Sequence, residues 1–313
     1  MKRAIIKKLM KISEVFPAPD NYGLKELFFH PSFTEADAEK RGDIMLKSAR
    51  WNHDNEVQYP WDRYFRFDLA SLLKDKVVLD LGCFTGGKSI AWAERYQVKK
   101  MYGIDPSDVF IEAARKFTEE KGLEAEFRVS VGEELPFENE QFDAILSFDV
   151  FEHVRNLKDV LLECRRVLKK GGVLLSVFSG YFHPFEHHLN GVTQTPFLHY
   201  LFQGRELVAV YNEIIDERGD EATWCRRSPR DLEPWEKCNE INGTTRRKFA
   251  RLVKETDWRV RYRGRVALGR AGGRTVAKIP LAKFVSYVLQ PFALLPLLDE
   301  VFCQPIVYAL EKP

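Results

Sequence analysis

The chain has 313 residues, 45% of them hydrophobic and 13% aromatic, which suffices for one large domain or one domain with a substantial cap around a sizeable core. Lysine and arginine number 48 against 46 aspartates and glutamates, a formal net charge of +2, so no global field drives the molecule onto nucleic acid and any basic partner surface must be local. The five cysteines, Cys83, Cys164, Cys225, Cys238 and Cys303, are odd in number, widely spaced and lack a C-x-x-C pair, so neither a disulfide framework nor a zinc ribbon is indicated and a reducing, cytoplasmic setting fits best.

The first residues, MKRAIIKKLMKI, place Ile5, Leu9 and Ile12 on one helical face with Lys7, Lys8 and Lys11 largely elsewhere. That pattern predicts a short amphipathic helix, either packed on the domain or lying on a membrane surface. Its apolar patches are too short for a signal-peptide core. Residues Pro17 to Pro60 mix proline, charge and aromatics without a period and read as an irregular, partly helical lid; Trp61 to Leu73 reads as a helix leading into the core.

From Val77 strand and helix alternate. The predicted strands are Val77 to Leu81, Lys100 to Ile104, Ala125 to Val129, Phe142 to Phe148 and Gly172 to Phe178, with helices at about Gly87 to Tyr96, Asp108 to Lys121 and Leu157 to Leu168. Such alternation builds a parallel, doubly wound sheet whose ligands gather at the strands' carboxyl ends. After Ser179 the rhythm stops, and Gly180 to Asp257, with a charged helical stretch from Thr244 to Thr256, reads as a cap for substrate recognition. Trp258 to Val266 alternates strictly, predicting a strand with Trp258, Val260, Tyr262 and Val266 on a buried face and Arg259, Arg261, Arg263 and Arg265 on the other. Those arginines, continued by Arg270 and Arg274, either protect a solvated sheet edge or mark an anionic partner such as a lipid headgroup. Phe284 to Leu298 is apolar but interrupted by Ser286, Gln290, Pro291 and Pro296, too broken to span a membrane and expected to pack on the sheet. Pro305 to Leu310 has the character of a last strand.

The chemistry is concentrated in VVLDLGCFTGGKS, residues 77–89. A buried strand ends in an acid, Asp80, turns at Gly82 and enters a helix, so unpaired backbone N–H groups and a helix dipole face whatever lies above the strand. A second strand, MYGIDPS, ends in Asp105 about 20 residues on, where a carboxylate can accept from both ribose hydroxyls. Dinucleotide and S-adenosylmethionine (SAM) enzymes share that pairing. A pyrophosphate needs a glycine at the middle of the loop, and the chain has Phe84 there, which favours SAM.

LDLGCFTGG, GIDPS, EELPFENEQFDAILSFDVFEHV and LKDVLLECRRVLKKGGVLLSV resemble four consecutive motifs of class I SAM-dependent methyltransferases of the type 11 kind, over about residues 77–179. Phe84 replaces the usual second glycine, and Val131 stands where many members carry an adenine-binding acid. The resemblance implies a Rossmann-like α/β sheet, mostly parallel, closed by an antiparallel C-terminal strand. It divides the chain into a lid (1–62), a SAM-binding core (63–179), an inserted cap (180–257) and completing strands (258–313). It implies SAM contacts from Asp80, Gly82, Cys83, Phe84, Gly86, Asp105, Pro106, Val131, Gly132, Glu133 and Phe148. Asp80 either faces the methionine ammonium or caps the turn, and Asp105 either takes the ribose hydroxyls or caps a helix.

Four histidines are candidates for an acceptor-side base: His153 in FDVFEHV and His183, His187 and His188 in FSGYFHPFEHHLN. Asp149, Glu152 and His153 with His187 or His188 form an alternative divalent-metal set resembling the E-x-x-E-H plus histidine site of small-RNA 2′-O-methyltransferases and ubiquinone O-methyltransferases, against the reading in which Glu152 and His153 orient the loop without metal. The expected activity is methyl transfer from SAM to a small molecule, at oxygen rather than nitrogen or carbon, with an acceptor that is anionic or lipid-linked in one version. A SAM-binding regulator without turnover and a nicotinamide-dependent reductase are the alternatives. No nucleic-acid partner is expected.

Overall fold

The computed structural model describes residues 2–14, 38–184, 186–189, 192–218, 242–266, 288, 291–295 and 298–313. A sheet of seven strands forms its centre: β1 Val77–Leu81, β2 Lys100–Asp105, β3 Ala125–Val129, β4 Phe142–Phe148, β5 Leu168–Phe178, β6 Arg259–Gly264 and β7 Ile306–Glu311. Their order is β3-β2-β1-β4-β5-β7-β6. Strands β1 to β5 pair in parallel, and β7 runs antiparallel to both β5 and β6. Strands β1, β4 and β7 are nearly continuous apolar runs because helices cover both faces of a parallel sheet.

Helices α1 Lys2–Ile12, α2 Ala38–Gln58, α3 Gly87–Tyr96, α4 Asp108–Lys121, α5 Leu157–Val167, α6 Gly204–Arg218 and α7 Arg246–Glu255 surround it. The crossover helices α3, α4 and α5 fall where the apolar period placed them. Local chemistry fixes their ends: Ser107 Oγ accepts from Phe110 N to cap α4, Asn156 Oδ1 accepts from Lys158 N to cap α5, and Gly122 closes α4 at φ 63°. Strand β5 begins four residues before the predicted Gly172, because Leu168 pairs with Phe142 ahead of a register shift.

One core lies on each sheet face. Phe142, Phe151, Phe178, Phe249 and Tyr308 pack together on one, and Trp92, Phe148, Leu175 and Val307 on the other. A separate cluster joins Ile6 and Met10 of α1 to Leu207, Val208, Tyr211 and Ile215 of α6. The cap segment is therefore divided in its packing: α6 joins α1, whereas α7 lies on the sheet through Phe249 and Val253.

Three expectations are corrected. The buried side of α1 is Ile6 and Met10, while Ile5 and Ile12 stay exposed, because α6 meets the helix about one residue's rotation from the predicted face. The basic side that a membrane would use is engaged by α6: Lys2 pairs with Glu206, Arg3 with Glu213, and Lys7 and Lys11 with Glu217. Trp61 to Leu73 is no single helix but a 3₁₀ turn, Trp61–Tyr64, an extended stretch, and one turn at Ala70–Leu73 that Asp68 starts anew by accepting from Ala70 N and Ser71 N. On β6 a bulge between Val260 and Tyr262 breaks the alternation. Trp258 thus packs with Phe249 on one face, Tyr262 with Phe65 and Phe67 on the other, and Val260 remains 49% exposed.

The arginines of β6 engage acids: Arg259 and Arg261 reach Glu311 at 3.2 and 3.6 Å, and Arg263 reaches Asp299 at 3.9 Å. Arg270, Arg274, most of the lid segment before residue 38 and most of the apolar stretch from Phe284 lie outside the described residues. No helix among the described residues is long and apolar enough to cross a membrane.

Candidate functional site

The strand order reverses between β1 and β4, and above their carboxyl ends lies a cavity of about 840 Å³. Its floor is the loop after β1. Gly82 and Gly86 both hold φ 76°, and a Cβ at Gly82 would meet Val150 Cγ2 at 2.3 Å, so only glycine allows the turn to pass beneath the β4 loop. The N–H groups of Gly82 and Cys83 both donate to Ile104 O at 2.9 Å, tying the loop to β2. Phe84, at φ 51°, turns its ring onto Phe110, centroid to centroid 4.4 Å, and so forms a wall where a dinucleotide loop would leave room for phosphate.

Two acids stand at the strand ends. Asp80 is 4% exposed, and its Oδ2 accepts from Ser89 Oγ at 2.6 Å. Burial raises its pKa to about 6, against the pull of Ser89 and the Lys88 charge. Asp105, 9% exposed, accepts from Phe84 N at 3.1 Å through Oδ2 and from Ser107 N at 3.0 Å through Oδ1. Burial raises its pKa too, and those two N–H groups oppose the rise. Each carboxylate therefore braces a turn and also faces the cavity.

Pro106, Val131, Gly132, Glu133 and Phe148 line the cavity as well. Glu133 Oε1 also accepts from Arg155 N and Asn156 N, pinning the start of α5. Gly86 does not line it; Gly87, one residue on, does. Gly86 sits under the floor, where a Cβ would meet Ala114 at 2.7 Å.

The acceptor side differs from expectation. Of the four histidines only His153 lines the cavity, beside Asp149. His188 stands behind it, ring centroids 5.2 Å apart, with Nε2 3.7 Å from Glu186. His187 is wholly buried: Nε2 donates to Thr195 O at 3.1 Å and Nδ1 accepts from Leu189 N at 3.0 Å. Burial lowers its pKa to about 3, which keeps the imidazole neutral, and both ring nitrogens are engaged by backbone groups away from the cavity. His183 is likewise held below the usual histidine range, chiefly by burial. Asp149 lines the cavity with its side chain open to solvent; partial desolvation by the surrounding wall raises its pKa while the Lys88 charge opposes the rise. Glu152 lies behind the wall, 4% exposed, and burial plus the charges of Asp149 and Glu186 hold its carboxyl well above the usual range. Among the described residues no three His, Cys, Asp or Glu side chains come close enough to hold a metal, and Asp149, Glu152, His153 and His187 do not converge as a ligand set.

Sequence reasoning passed over Asn52, Lys88, Phe110, Val150 and Arg155, which also line the cavity. Asn52 arrives on α2 and has no local signal; Lys88 lay inside the glycine motif and could have been marked by adjacency. Asn242 was missed entirely. Its Nδ2 donates to Phe151 O at 2.7 Å and Val154 O at 2.8 Å, strapping the loop that carries Asp149 and His153.

Residues 79–176 match a family model described as a methyltransferase domain. The chain is 38% identical over 132 residues to a ubiquinone biosynthesis O-methyltransferase of Roseobacter denitrificans, covering 41% of this chain and 51% of that protein. It is 34% identical over 137 residues to a tRNA U34 carboxymethyltransferase of Cellvibrio japonicus, covering 41% and 42%. The chain thus spans about half, or less, of the length of these curated relatives. Among solved structures, a chain of the complex between the Haloferax volcanii Trm112 methyltransferase activator and its methyltransferase superposes with a TM-score of 0.51 at 14% identity, covering 88% of this chain and 98% of that one. That likeness concerns the fold.

Proposed function

We propose, from the premise that residues 79–176 are a methyltransferase domain of the class I SAM-dependent type, that the protein transfers a methyl group from SAM to an oxygen of a small molecule. The observation that carries this is the cavity at the β1–β4 switch point, with a glycine turn for a floor and Asp80 and Asp105 at its two strand ends. Asp105 would take the ribose hydroxyls, and Asp80 the methionine ammonium. Pro106, Val131 and Gly132 would flank the adenine, with Phe84 packing beside the nucleoside.

Bound SAM supplies an electrophilic methyl on a good sulfonium leaving group. What the chain must add is alignment and exclusion of water, and alignment alone can supply roughly 7–11 kcal/mol. Phe148, Val150 and Asn52 of α2 line the cavity and would exclude water from the acceptor end. His153, facing that space with Asp149, is the group we assign to remove the acceptor proton; its placement in the wall, which His183, His187 and His188 lack, supports the choice. Segments 180–257 and 1–62 are assigned to acceptor recognition and covering. The free, buried Cys83, Cys164 and Cys303 suit a reducing compartment.

The test has two arms. A thermal-shift comparison should show stabilisation by SAM and none by NAD or NADP, whose pyrophosphate Phe84 obstructs. Incubation with methyl-tritiated SAM and a panel of phenols, carboxylic acids, alcohols and amines should label an oxygen acceptor. His153→Ala should lower that turnover about 10²- to 10⁴-fold with SAM affinity unchanged. Binding of SAM without transfer to any acceptor would instead support a regulatory protein.

A further inference from the structure

Lys88 lines the cavity from the first turn of α3, and its Nζ lies 4.5 Å from the centroid of the Trp61 ring. Three observations set it apart from a solvated lysine. A cation in a first turn that contains no acid stands at the positive end of the helix dipole, the unfavourable end. Its platform is built: Trp61 N donates at 2.8 Å to Glu56 Oε1, the oxygen that also accepts from Trp92 Nε1 at 2.7 Å, and the Trp61 ring packs 5.4 Å from Phe148. Finally, its charge acts on Asp80, Asp149 and Glu56, yet among the described residues it forms an ion pair with none of them. A lysine kept only to neutralise those acids would reach one; here the indole face holds it off, by a cation–π contact.

The geometry points to Lys88 as the seat of a ligand carboxylate, presented to the cavity on the Trp61 platform. This rests on the SAM reading above and adds a residue to it. Asp80 and Lys88 offer opposite signs to one space, the complement of a zwitterionic amino-acid end. Two sources can supply the carboxylate: the methionine part of the cofactor, whose ammonium Asp80 would take, or an acidic group on the acceptor. Glutamine keeps most of the stem and removes the charge, whereas arginine keeps the charge.

The test is calorimetry on the full chain with Lys88→Gln and Lys88→Arg. S-adenosylhomocysteine carries the carboxylate; 5′-methylthioadenosine has the same nucleoside and no amino-acid end. Benzoate and hexanoate, titrated into the S-adenosylhomocysteine-saturated protein, probe the acceptor side. If the cofactor is the source, Lys88→Gln weakens S-adenosylhomocysteine at least tenfold, leaves 5′-methylthioadenosine within twofold, and Lys88→Arg restores most of the loss. If the acceptor is the source, S-adenosylhomocysteine is unaffected and the carboxylate probes bind the parent but not Lys88→Gln. Equal weakening of both nucleosides would show a purely structural lysine and overturn the inference. So would a Lys88→Gln protein that matches the parent with every probe, including the case where the parent binds no carboxylate probe. A parent that binds neither nucleoside would overturn the cofactor reading itself, and this inference with it.

Discussion

Asp80 shows how one buried carboxylate can govern the behaviour of the site. Its pKa of about 6, raised by burial, means that the ionised form is the costly one in the empty protein. The stability associated with the neutral form is present below about pH 4 and is lost as pH rises through 6. A ligand ammonium reverses the preference by favouring the anion. S-adenosylhomocysteine affinity should therefore be about tenfold weaker at pH 5 than at pH 7.5, measured by calorimetry, and Asp80→Asn should abolish that slope. His187 has the opposite sense. Its pKa of about 3 leaves it neutral in the fold but protonated in the unfolded chain below about 6.5, so its contribution is lost on acidification. Against His187→Gln, the parent should lose about 2 kcal/mol more stability between pH 7.5 and pH 5 in urea unfolding, with cofactor affinity unaltered by the substitution. A base-like role would instead remove turnover at constant stability.

At the scale of elements, α1 depends on packing more than on its ion pairs. Lys7 and Glu217 meet at the surface, with half of the Glu217 side chain exposed, and such pairs contribute at most about 1 kcal/mol. Ile6 and Met10 are fully buried against α6, where truncation to alanine costs about 2–5 kcal/mol each. Met10→Ala should release α1 and speed amide exchange across 204–218 at unchanged exchange in β1 and β4, whereas Lys7→Ala should change little. The amphipathic pattern announced the helix but not its neighbour. Ile5, Leu9 and Ile12 looked like the buried stripe because periodicity sees only the apolar content of a face, and the partner that selects the face is 200 residues away in sequence. Strand β6 fails in the same way: its alternation was regular in sequence, but a bulge against β7 sends Trp258 and Tyr262 to opposite cores.

Across the whole molecule, β6 is one edge of the sheet among the described residues, and Arg259, Arg261 and Arg263 line it with charge bound loosely to Glu311 and Asp299. Charged edges resist pairing with a second sheet. Replacing the three arginines by threonine should leave cofactor affinity intact, since the cavity lies at β1 and β4, while light scattering at raised concentration shows faster aggregation. An anionic-surface role would appear instead as lost vesicle binding at low salt.

By itself the sequence determined the parallel sheet, its crossover helices and the positions of Asp80, Gly82, Asp105 and Asp149 at strand ends, because buried strands, tight turns and caps are written in neighbouring residues. Only the tertiary structure decided which histidine meets the cavity, that Asn52 closes it from α2, that Asn242 straps its rim and that Lys88 rests on Trp61. Lys88 and Trp61 are 27 residues apart, and Asn242 and Phe151 are 91 apart. Side-chain burial and hydrogen bonding across such distances follow from packing, which local periodicity does not encode.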